Sequence, residues 1–205
     1  MKLRRLIDGG LRHFQVRHDE QHIAHLVYYV EELEKWNRHI NLVGLKSAEA
    51  VVKALLYDAF FADRFIKESR TILDLGSGSG ILSIPLKILN GDVHIISVDK
   101  NMKKIQFQRH IARALDLKNF STLHAKIEAL DPMEVDVLLA KAFGGTKMIF
   151  EKGGRHIRRG GRALIMKTAK DKPANVEGFV HEETIPYTLP PSQKDLRIFI
   201  YKKIS

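Results

Sequence analysis

The amino-acid sequence predicts an α/β protein in which a helical N-terminal region precedes a seven-stranded, mostly parallel sheet. Apolar residues recur at helical spacing up to residue 66, whereas short β-branched segments alternate with helical ones after residue 70. Such alternation is typical of a parallel sheet with helices on both faces. The last two strands are joined by residues 188–195, which leave no room for a crossover helix, so we expect an antiparallel hairpin at the end of the sheet.

The N-terminal region contains two strongly patterned helices on either side of a break at residues 36–44. Asp19 and Ser47 are positioned to cap them, because their side chains accept hydrogen bonds from the first free N–H groups of a helix. The apolar residues of the first helix are Ile23, Leu26, Val27, Val30 and Leu33, and those of the second are Val51, Val52, Leu55, Leu56, Ala59 and Phe60. We expect residues 1–66 to form an extension packed on a compact core domain of residues 67–205.

The second region supplies the sheet. The predicted strands are Thr71–Leu75, Val93–Val98, Phe120–His124, Val135–Ala140, Ala163–Lys167, Gly178–Tyr187 and Leu196–Lys203. The predicted helices between the parallel strands are Ile81–Leu89, Met102–Leu115 and Thr146–Ile157.

Composition limits the classes of function. The chain of 205 residues has no cysteine, which excludes disulfides, cysteine catalysis and thiolate metal sites. There is no apolar run long enough for a membrane span and no secretory signal, so we expect a cytoplasmic protein without a membrane partner. The histidines show no metal-ligand spacing, so no metal is expected.

The formal net charge of +10 favours a polyanionic partner, most often a nucleic acid; the alternative is a merely basic surface that keeps the protein soluble. Basic residues form three clusters. These are Lys2, Arg4, Arg5, Arg12 and Arg17; Lys100, Lys103, Lys104, Arg109 and Arg113; and Lys152, Arg155, Arg158, Arg159 and Arg162.

The first predicted strand ends in Asp74-Leu75-Gly76-Ser77-Gly78-Ser79-Gly80 and leads into a helix. Glycines allow positive φ and let backbone approach a ligand closely. The G-x-G-x-G spacing differs from the dinucleotide pattern G-x-G-x-x-G, which disfavours an NAD enzyme. Asp74 suits the cationic methionine amine and sulfonium of S-adenosylmethionine, whereas it would repel a pyrophosphate.

Asp99 ends the second strand, nineteen residues after Gly80. A carboxylate at this point can accept hydrogen bonds from both hydroxyls of a ribose. The alternative is that Asp99 caps the helix that follows.

Three further strand ends carry candidate residues. Lys126-Ile127-Glu128 follows the third strand, where it either borders an adenine or forms a solvated loop. Lys141 and Lys167 end the fourth and fifth strands at the edge where ligands bind, although each is also a common strand-end lysine with its head group in water.

Several segments together resemble the RsmG (GidB) family of small-subunit ribosomal RNA guanine-N7 methyltransferases. The resemblance covers roughly residues 30–203. Its segments are Trp36-Asn37 with Asn41-Leu42, Asp58, the turn from Asp74 to Gly80, Ile84-Pro85-Leu86, Val98-Asp99 with Lys103-Lys104 and Phe107, Leu115 with Leu117 and Asn119, Ala142-Phe143, Lys167, and Leu189-Pro190 with Arg197.

The resemblance implies a Rossmann-like methyltransferase fold, S-adenosyl-L-methionine as cofactor, S-adenosyl-L-homocysteine as product, and ribosomal RNA or the small ribosomal subunit as partner of a monomeric enzyme. It implies catalytic roles for Lys141, Lys167 and Arg197. The implied cofactor-binding residues are Asp74, Gly76, Ser77, Gly78, Gly80, Asp99, Lys126, Ile127, Glu128 and Lys141.

The chain departs from the family pattern on the side of the methyl acceptor. Leu55 and Ala59 stand where the family has His and Ser, Lys126 and Lys141 replace Arg, and Leu82-Ser83 replaces Pro-Gly. Arg and Lys are not equivalent where planar bidentate contacts are needed. Alternatives are therefore a methyltransferase with another RNA or small-molecule acceptor, and a non-catalytic RNA-binding member of the fold.

Overall fold

The computed structural model describes residues 1–45, 47–191 and 195–205. The helices are α1 (Lys2–His13), α2 (Glu20–Asn37), α3 (Ala48–Val51), α4 (Tyr57–Ala62), α5 (Ser83–Leu89), α6 (Met102–Ala114) and α7 (Thr146–Gly153). The strands are β1 (Thr71–Leu75), β2 (His94–Asp99), β3 (Phe120–His124), β4 (Val135–Lys141), β5 (Ile157–Thr168), β6 (Phe179–Thr188) and β7 (Asp195–Lys203). Residues 192–194 of the predicted linker lie outside the described residues.

The seven strands form one sheet in the order β3-β2-β1-β4-β5-β7-β6. Strands β1 to β5 are parallel, and β7 lies antiparallel between β5 and β6. The predicted α/β class, the mostly parallel sheet and the terminal antiparallel hairpin are confirmed.

Both faces of the sheet are covered. One face packs Ile72, Val137 and Leu164 against the N-terminal helices, α5 and α6 in a single apolar cluster. The other face packs Leu138 and Ile165 against α7. The division into an extension of residues 1–66 and a domain of residues 67–205 stays a prediction, although side chains of both regions share the first cluster.

Local capping explains where the N-terminal helices begin. The Asp19 carboxylate accepts from His22 N at 2.9 Å, and the His22 ring accepts from Asp19 N at 3.1 Å, which makes a reciprocal cap. Ser47 Oγ accepts from Ala50 N at 3.2 Å. The helix capped by Ser47 is interrupted by a π-helical turn, Val52–Leu56, which changes the direction of the side chains that follow, Asp58 among them.

The predicted break between these helices is held by one side chain. Asn37 Oδ1 accepts from the backbone N of Leu42 at 2.8 Å and of Val43 at 3.0 Å, while Asn37 Nδ2 donates to Leu45 O at 3.0 Å. Asn37 therefore substitutes for the hydrogen bonds that regular structure would provide.

Two boundaries differ from the sequence-based expectation by more than two residues. Helix α7 ends at Gly153, and β5 begins at Ile157 instead of Ala163. Ile157 pairs with Val135 before an irregularity in the register, and Gly160 has φ 75° within the strand. The Arg-Arg-Gly-Gly sequence at residues 158–161 has low strand propensity, but pairing with β4 overrides it.

Within the described part of the chain, no helix is both long and apolar enough to cross a bilayer.

Candidate cofactor and acceptor site

The glycine turn lies between β1 and α5, at the carboxyl edge of the sheet. Gly76, Gly78 and Gly80 have φ values of 67°, 59° and 78°, which non-glycine residues rarely adopt. A Cβ on Gly76 would overlap the Phe143 ring, and a Cβ on Gly80 would lie 2.6 Å from Ile84 Cδ1. At Gly78 the nearest atom would be Lys104 Nζ at 3.8 Å. The middle of the turn therefore faces open space, as a ligand cradle requires.

A buried glutamine that sequence reasoning missed holds this turn. Gln108 Nε2 donates to Ser77 Oγ at 2.9 Å and to Gly78 O at 2.7 Å, while Gln108 Oε1 accepts from Ser97 Oγ at 2.6 Å. Gln108 is fully buried. Its one signal in the sequence is a polar residue on the apolar face of α6.

Asp99 connects the turn to the start of α6. Its carboxylate accepts from Gly78 N at 2.8 Å and from Asn101 N at 2.7 Å. Asn101, rather than Asp99, is the cap of α6, because its side chain accepts from the first free backbone N–H groups of the helix. A carboxylate has about four lone-pair positions, so Asp99 retains acceptor capacity for the predicted ribose contact.

Asp74 is buried directly beneath the turn, at 2% exposure, where it accepts from Ser83 N at 3.2 Å. Burial raises the pKa of Asp74 to about 6; the Asp99 charge adds to the rise, while Ser83 and Lys141 oppose it. Nearby, Ser79 Oγ is buried without a hydrogen-bond partner in the described part of the chain. A buried acid and an unpartnered hydroxyl fit the cationic and polar methionine end of S-adenosylmethionine.

The loop after β3 lies beside Asp99, since Ala125 N donates to Asp99 O at 3.2 Å. Ile127 is buried in the second apolar cluster, whereas Lys126 and Glu128 are exposed. Glu128 pairs with Lys152, which lowers the pKa of Glu128. The hydrogen bond from Ala125 thus anchors this loop beside Asp99, and the adenine role of the loop stays a prediction.

A cavity of about 790 Å³ opens between the π-helical segment, the ends of β4 and β5, and the β6–β7 loop. Its walls are mostly apolar and include Leu55, Met166 and Leu189. Lys141 and Lys167 both line it. A volume of this size is ordinary for a small-molecule or nucleoside site.

The two lysines have different partners. The Lys141 ammonium donates to Asp58, whereas Lys167 donates to Gly144 O and lies 4.0 Å from the Asp171 carboxylate. Arg197 is opposite Lys167 in the β5–β7 register but does not line the cavity. The structure therefore brings Lys141 and Lys167 together and leaves Arg197 outside.

The loop after β4 joins the cavity to the glycine turn. Ala142 has φ 55°, an unfavourable conformation for a residue with a Cβ. The next residue, Phe143, packs its ring on Gly76, and the loop ends where α7 begins. Lys141 is thus held at the point where the turn and the cavity meet.

Among residues 1–45, 47–191 and 195–205, no group of three or more His, Asp or Glu side chains is arranged to hold a metal ion.

The sheet order, the glycine turn after β1 and the acid at the end of β2 define a class, the S-adenosylmethionine-dependent methyltransferases. The chain matches TYW2 of M. jannaschii, solved in complex with AdoMet, with a TM-score of 0.61 over 74% of this chain and 77% of that chain at 12% identity. It matches TrmN from Thermus thermophilus with a TM-score of 0.56 over 71% of this chain and 49% of that chain at 21% identity. Both likenesses concern the fold.

Within this class the chain belongs to the GidB family, described as rRNA small subunit methyltransferase G, whose model matches residues 22–185. The chain is 30% identical to ribosomal RNA small subunit methyltransferase G of Geotalea uraniireducens over 188 residues, and this alignment covers 86% of each chain. Its identity to the protein of that name from Acetivibrio thermocellus is 26% over 216 residues, covering 99% of this chain and 89% of the relative. The predicted family is confirmed.

The raised pKa of Asp74 predicts how the free energy of unfolding depends on pH. Since the pKa is about 6 in the fold and 3.8 otherwise, ionising Asp74 costs the folded state about 3 kcal/mol above pH 6, and nothing below pH 4. Asp74→Asn should therefore raise the free energy of unfolding at pH 7.5 and lose this advantage as the pH falls towards 4. Urea unfolding at several pH values measures it.

Asp136 serves as a control, because the pKa shift of its carboxyl has the opposite sign. Burial raises its pKa, but hydrogen bonds from Arg158, Thr71 and Arg70 outweigh burial and lower the pKa to about 2. Asp136→Asn should destabilise the protein at neutral pH, with the loss disappearing only in acid. A stability gain of Asp74→Asn that is independent of pH would contradict the assignment of Asp74 as a buried carboxylate of raised pKa.

Proposed function

We propose that this protein transfers a methyl group from S-adenosylmethionine to N7 of a guanine in small-subunit ribosomal RNA. The observation that carries the proposal is the junction at Lys141. The loop from Ala142 to Gly144 connects the glycine turn to the lysine-lined cavity, so a cofactor and a methyl acceptor held in these two places would meet. Family membership supports ribosomal RNA as the acceptor.

In this proposal the chain's own residues bind and orient the cofactor. Asp74 faces the methionine amine, Asp99 accepts from the ribose hydroxyls, and residues 126–128 border the adenine. S-adenosylmethionine, when bound, supplies an electrophilic methyl group. Gly78 leaves the space that this requires, because its missing side chain would otherwise stand over the turn.

The chemistry agrees with the residues present. Guanine N7 carries a lone pair and no proton, so the reaction needs alignment and exclusion of water rather than a general base. The apolar walls around Leu55, Met166 and Leu189 exclude water. In this proposal Lys141 donates a hydrogen bond to the acceptor base, while Lys167 holds the loop through Gly144 O.

The acceptor base should lie in an exposed loop of the RNA, because N7 in the deep major groove of A-form RNA is poorly accessible. We also propose that the protein acts as a monomer in the cytoplasm, as the sequence led us to expect. The substrate is either the naked RNA or the assembled small subunit, and both are included in the test.

The test is methyl transfer in vitro. Purified protein and S-adenosylmethionine are incubated with small-subunit RNA and with whole small subunits from cells lacking the modification, and the RNA is mapped by mass spectrometry. We expect a single 7-methylguanosine. Transfer to a different nucleoside would correct the acceptor, and no transfer to either substrate would contradict the proposal.

The basic clusters differ in how far acids neutralise them. In the first cluster Lys2 pairs with Glu49, Arg4 with Glu20 and Arg12 with Asp8. In the third cluster, Lys152 pairs with Glu128 and Arg158 with Asp136. Arg158, Arg159 and Arg162 of this cluster lie on β5 towards the amino edge of the sheet, away from the candidate site.

The second cluster is the best placed to hold RNA. Lys100, Lys103, Lys104 and Arg113 form no ion pair within the described part of the chain, and the cluster begins next to Asp99. Unpaired cations close to the cofactor turn are able to hold RNA phosphates where the acceptor base reaches the cavity. We therefore assign the RNA-facing surface to the start of α6.

Replacing two lysines of this surface should reduce the salt dependence of RNA binding. Each phosphate contact contributes roughly 0.7–0.9 to the slope of log K against log salt concentration, so Lys100→Gln with Lys103→Gln should lower the slope by about 1.5. Arg159→Gln with Arg162→Gln removes the same charge at the opposite edge and serves as control. An equal change in both variants would contradict the assignment.

Asp99 should matter for the cofactor and not for RNA. Asp99→Asn has one acceptor oxygen instead of two, so only one of the hydrogen bonds from Gly78 N and Asn101 N survives. The variant also loses the charge that strengthens the ribose contacts, so cofactor affinity should fall about tenfold or more. Calorimetric titration with S-adenosylmethionine measures the loss, and a filter-binding assay checks that RNA affinity is unchanged. The exposed Asp92→Asn is the matched control, and a parallel loss of RNA binding would speak against the role.

A further inference from the structure

Lys141 is one member of a buried chain of polar groups. Its ammonium donates to Asp58 Oδ2, and Asp58 Oδ1 accepts from the Tyr187 hydroxyl at 2.6 Å. Asp58 is 2% exposed and Tyr187 is 8% exposed, whereas the Lys141 side chain retains 24% exposure towards the cavity. The three residues come from α4, β4 and β6, so only the folded chain assembles them.

The tyrosine is held rigidly. Its ring stacks on Phe61 with centroids 4.2 Å apart and planes 13° apart, and its backbone lies opposite Leu196 in the β6–β7 ladder. Burial and the Asp58 charge raise the pKa of Tyr187 well above its usual value. The phenol therefore stays protonated and donates to Asp58 at every working pH.

The charge balance between Lys141 and Asp58 explains the role of these hydrogen-bonded side chains. A guanine methylated at N7 becomes cationic, so a free ammonium beside it would oppose the reaction. Lys141 paired with Asp58 still has N–H groups to donate, because an ammonium carries three, but its charge is balanced. The pair thus offers a hydrogen-bond donor to the acceptor without adding net charge of its own.

We propose that Asp58 and Tyr187 are positioning residues that hold Lys141 as a charge-balanced hydrogen-bond donor to the methyl acceptor. This inference rests on the proposed function, since it assumes that the acceptor occupies the cavity. Tyr187 acts through Asp58, because its hydroxyl is used in that hydrogen bond and its ring is packed on Phe61.

The experiment is a double-mutant cycle on the single-turnover methylation rate at saturating cofactor and RNA. Tyr187→Phe keeps the ring and removes the hydroxyl, which leaves Asp58 free to draw the ammonium away from the acceptor. We expect the rate to fall about tenfold with little change in KM, since a lost hydrogen bond to a charged group has an effect of this size. In a Lys141→Met background the same change should have less than a twofold effect.

Tyr57→Phe is the matched control. Tyr57 is equally buried, at 4% exposure, but its hydroxyl donates to the backbone O of Leu6 at 3.0 Å, away from the cavity. Its removal should lower the melting temperature and leave the rate unchanged in both backgrounds. Asp58→Asn, which leaves Lys141 with an uncompensated charge, should lower the rate more than Tyr187→Phe does, and again only when Lys141 is present.

The outcomes separate the two proposals. A wild-type protein that methylates neither form of the substrate overturns the proposed function before any variant is compared. An active wild type in which Tyr187→Phe slows both backgrounds equally, raises only KM, or behaves like Tyr57→Phe overturns the positioning role. Loss of rate that disappears in the Lys141→Met background supports it.

Discussion

The hydrogen-bonded register of β1, an interior strand of the sheet, sets the relative heights of three candidate residues. Leu75 pairs with Val98 on one side and with Ala140 on the other. The next residue along each strand is therefore at the same height, and these residues are Gly76, Asp99 and Lys141. A register shift of one residue would turn each side chain to the opposite face of the sheet, which the apolar clusters on both faces prevent. The site is in this sense a consequence of core packing.

Around this register the chain accepts buried polar groups and satisfies most of them. Gln108 holds the glycine turn against β2, and Asp99 joins the turn to α6. Asp74 accepts a hydrogen bond from Ser83 N, but burial opposes its charge and it forms no ion pair within the described part of the chain. Such a group lowers stability and raises the affinity for a cationic ligand, a combination that is typical of binding sites.

The side of the site proposed to hold the methyl acceptor has a different arrangement of charge. Its cavity has apolar walls, and Lys141 is neutralised by Asp58 instead of being left free. Two of the positions at which the chain departs from the family pattern, Leu55 and Lys141, line this cavity. Lys100, Lys103 and Lys104, at the start of α6, form no ion pair within the described part of the chain, and they suit phosphate contacts. In the proposed function, charge is therefore separated between the surface assigned to RNA and an acceptor cavity that is close to neutral.

Local sequence signals determined much of this protein by themselves. The caps Asp19 and Ser47, the strand and helix alternation and the three glycines are local patterns that can be read along the chain. The extended start of β5 was not predicted, because pairing with β4 overrides the weak strand propensity of residues 158–161.

Only the tertiary structure determined which distant side chains contact one another. Gln108 meets Ser77 and Tyr187 meets Asp58 across 31 and 129 residues of sequence. No local pattern links such partners, since their contacts depend on strand register and on the π-helical turn before Asp58. The sequence by itself determined the fold class and the cofactor turn because these depend on backbone propensity and periodicity. The surroundings of Lys141 depend on long-range packing, which only the folded chain specifies.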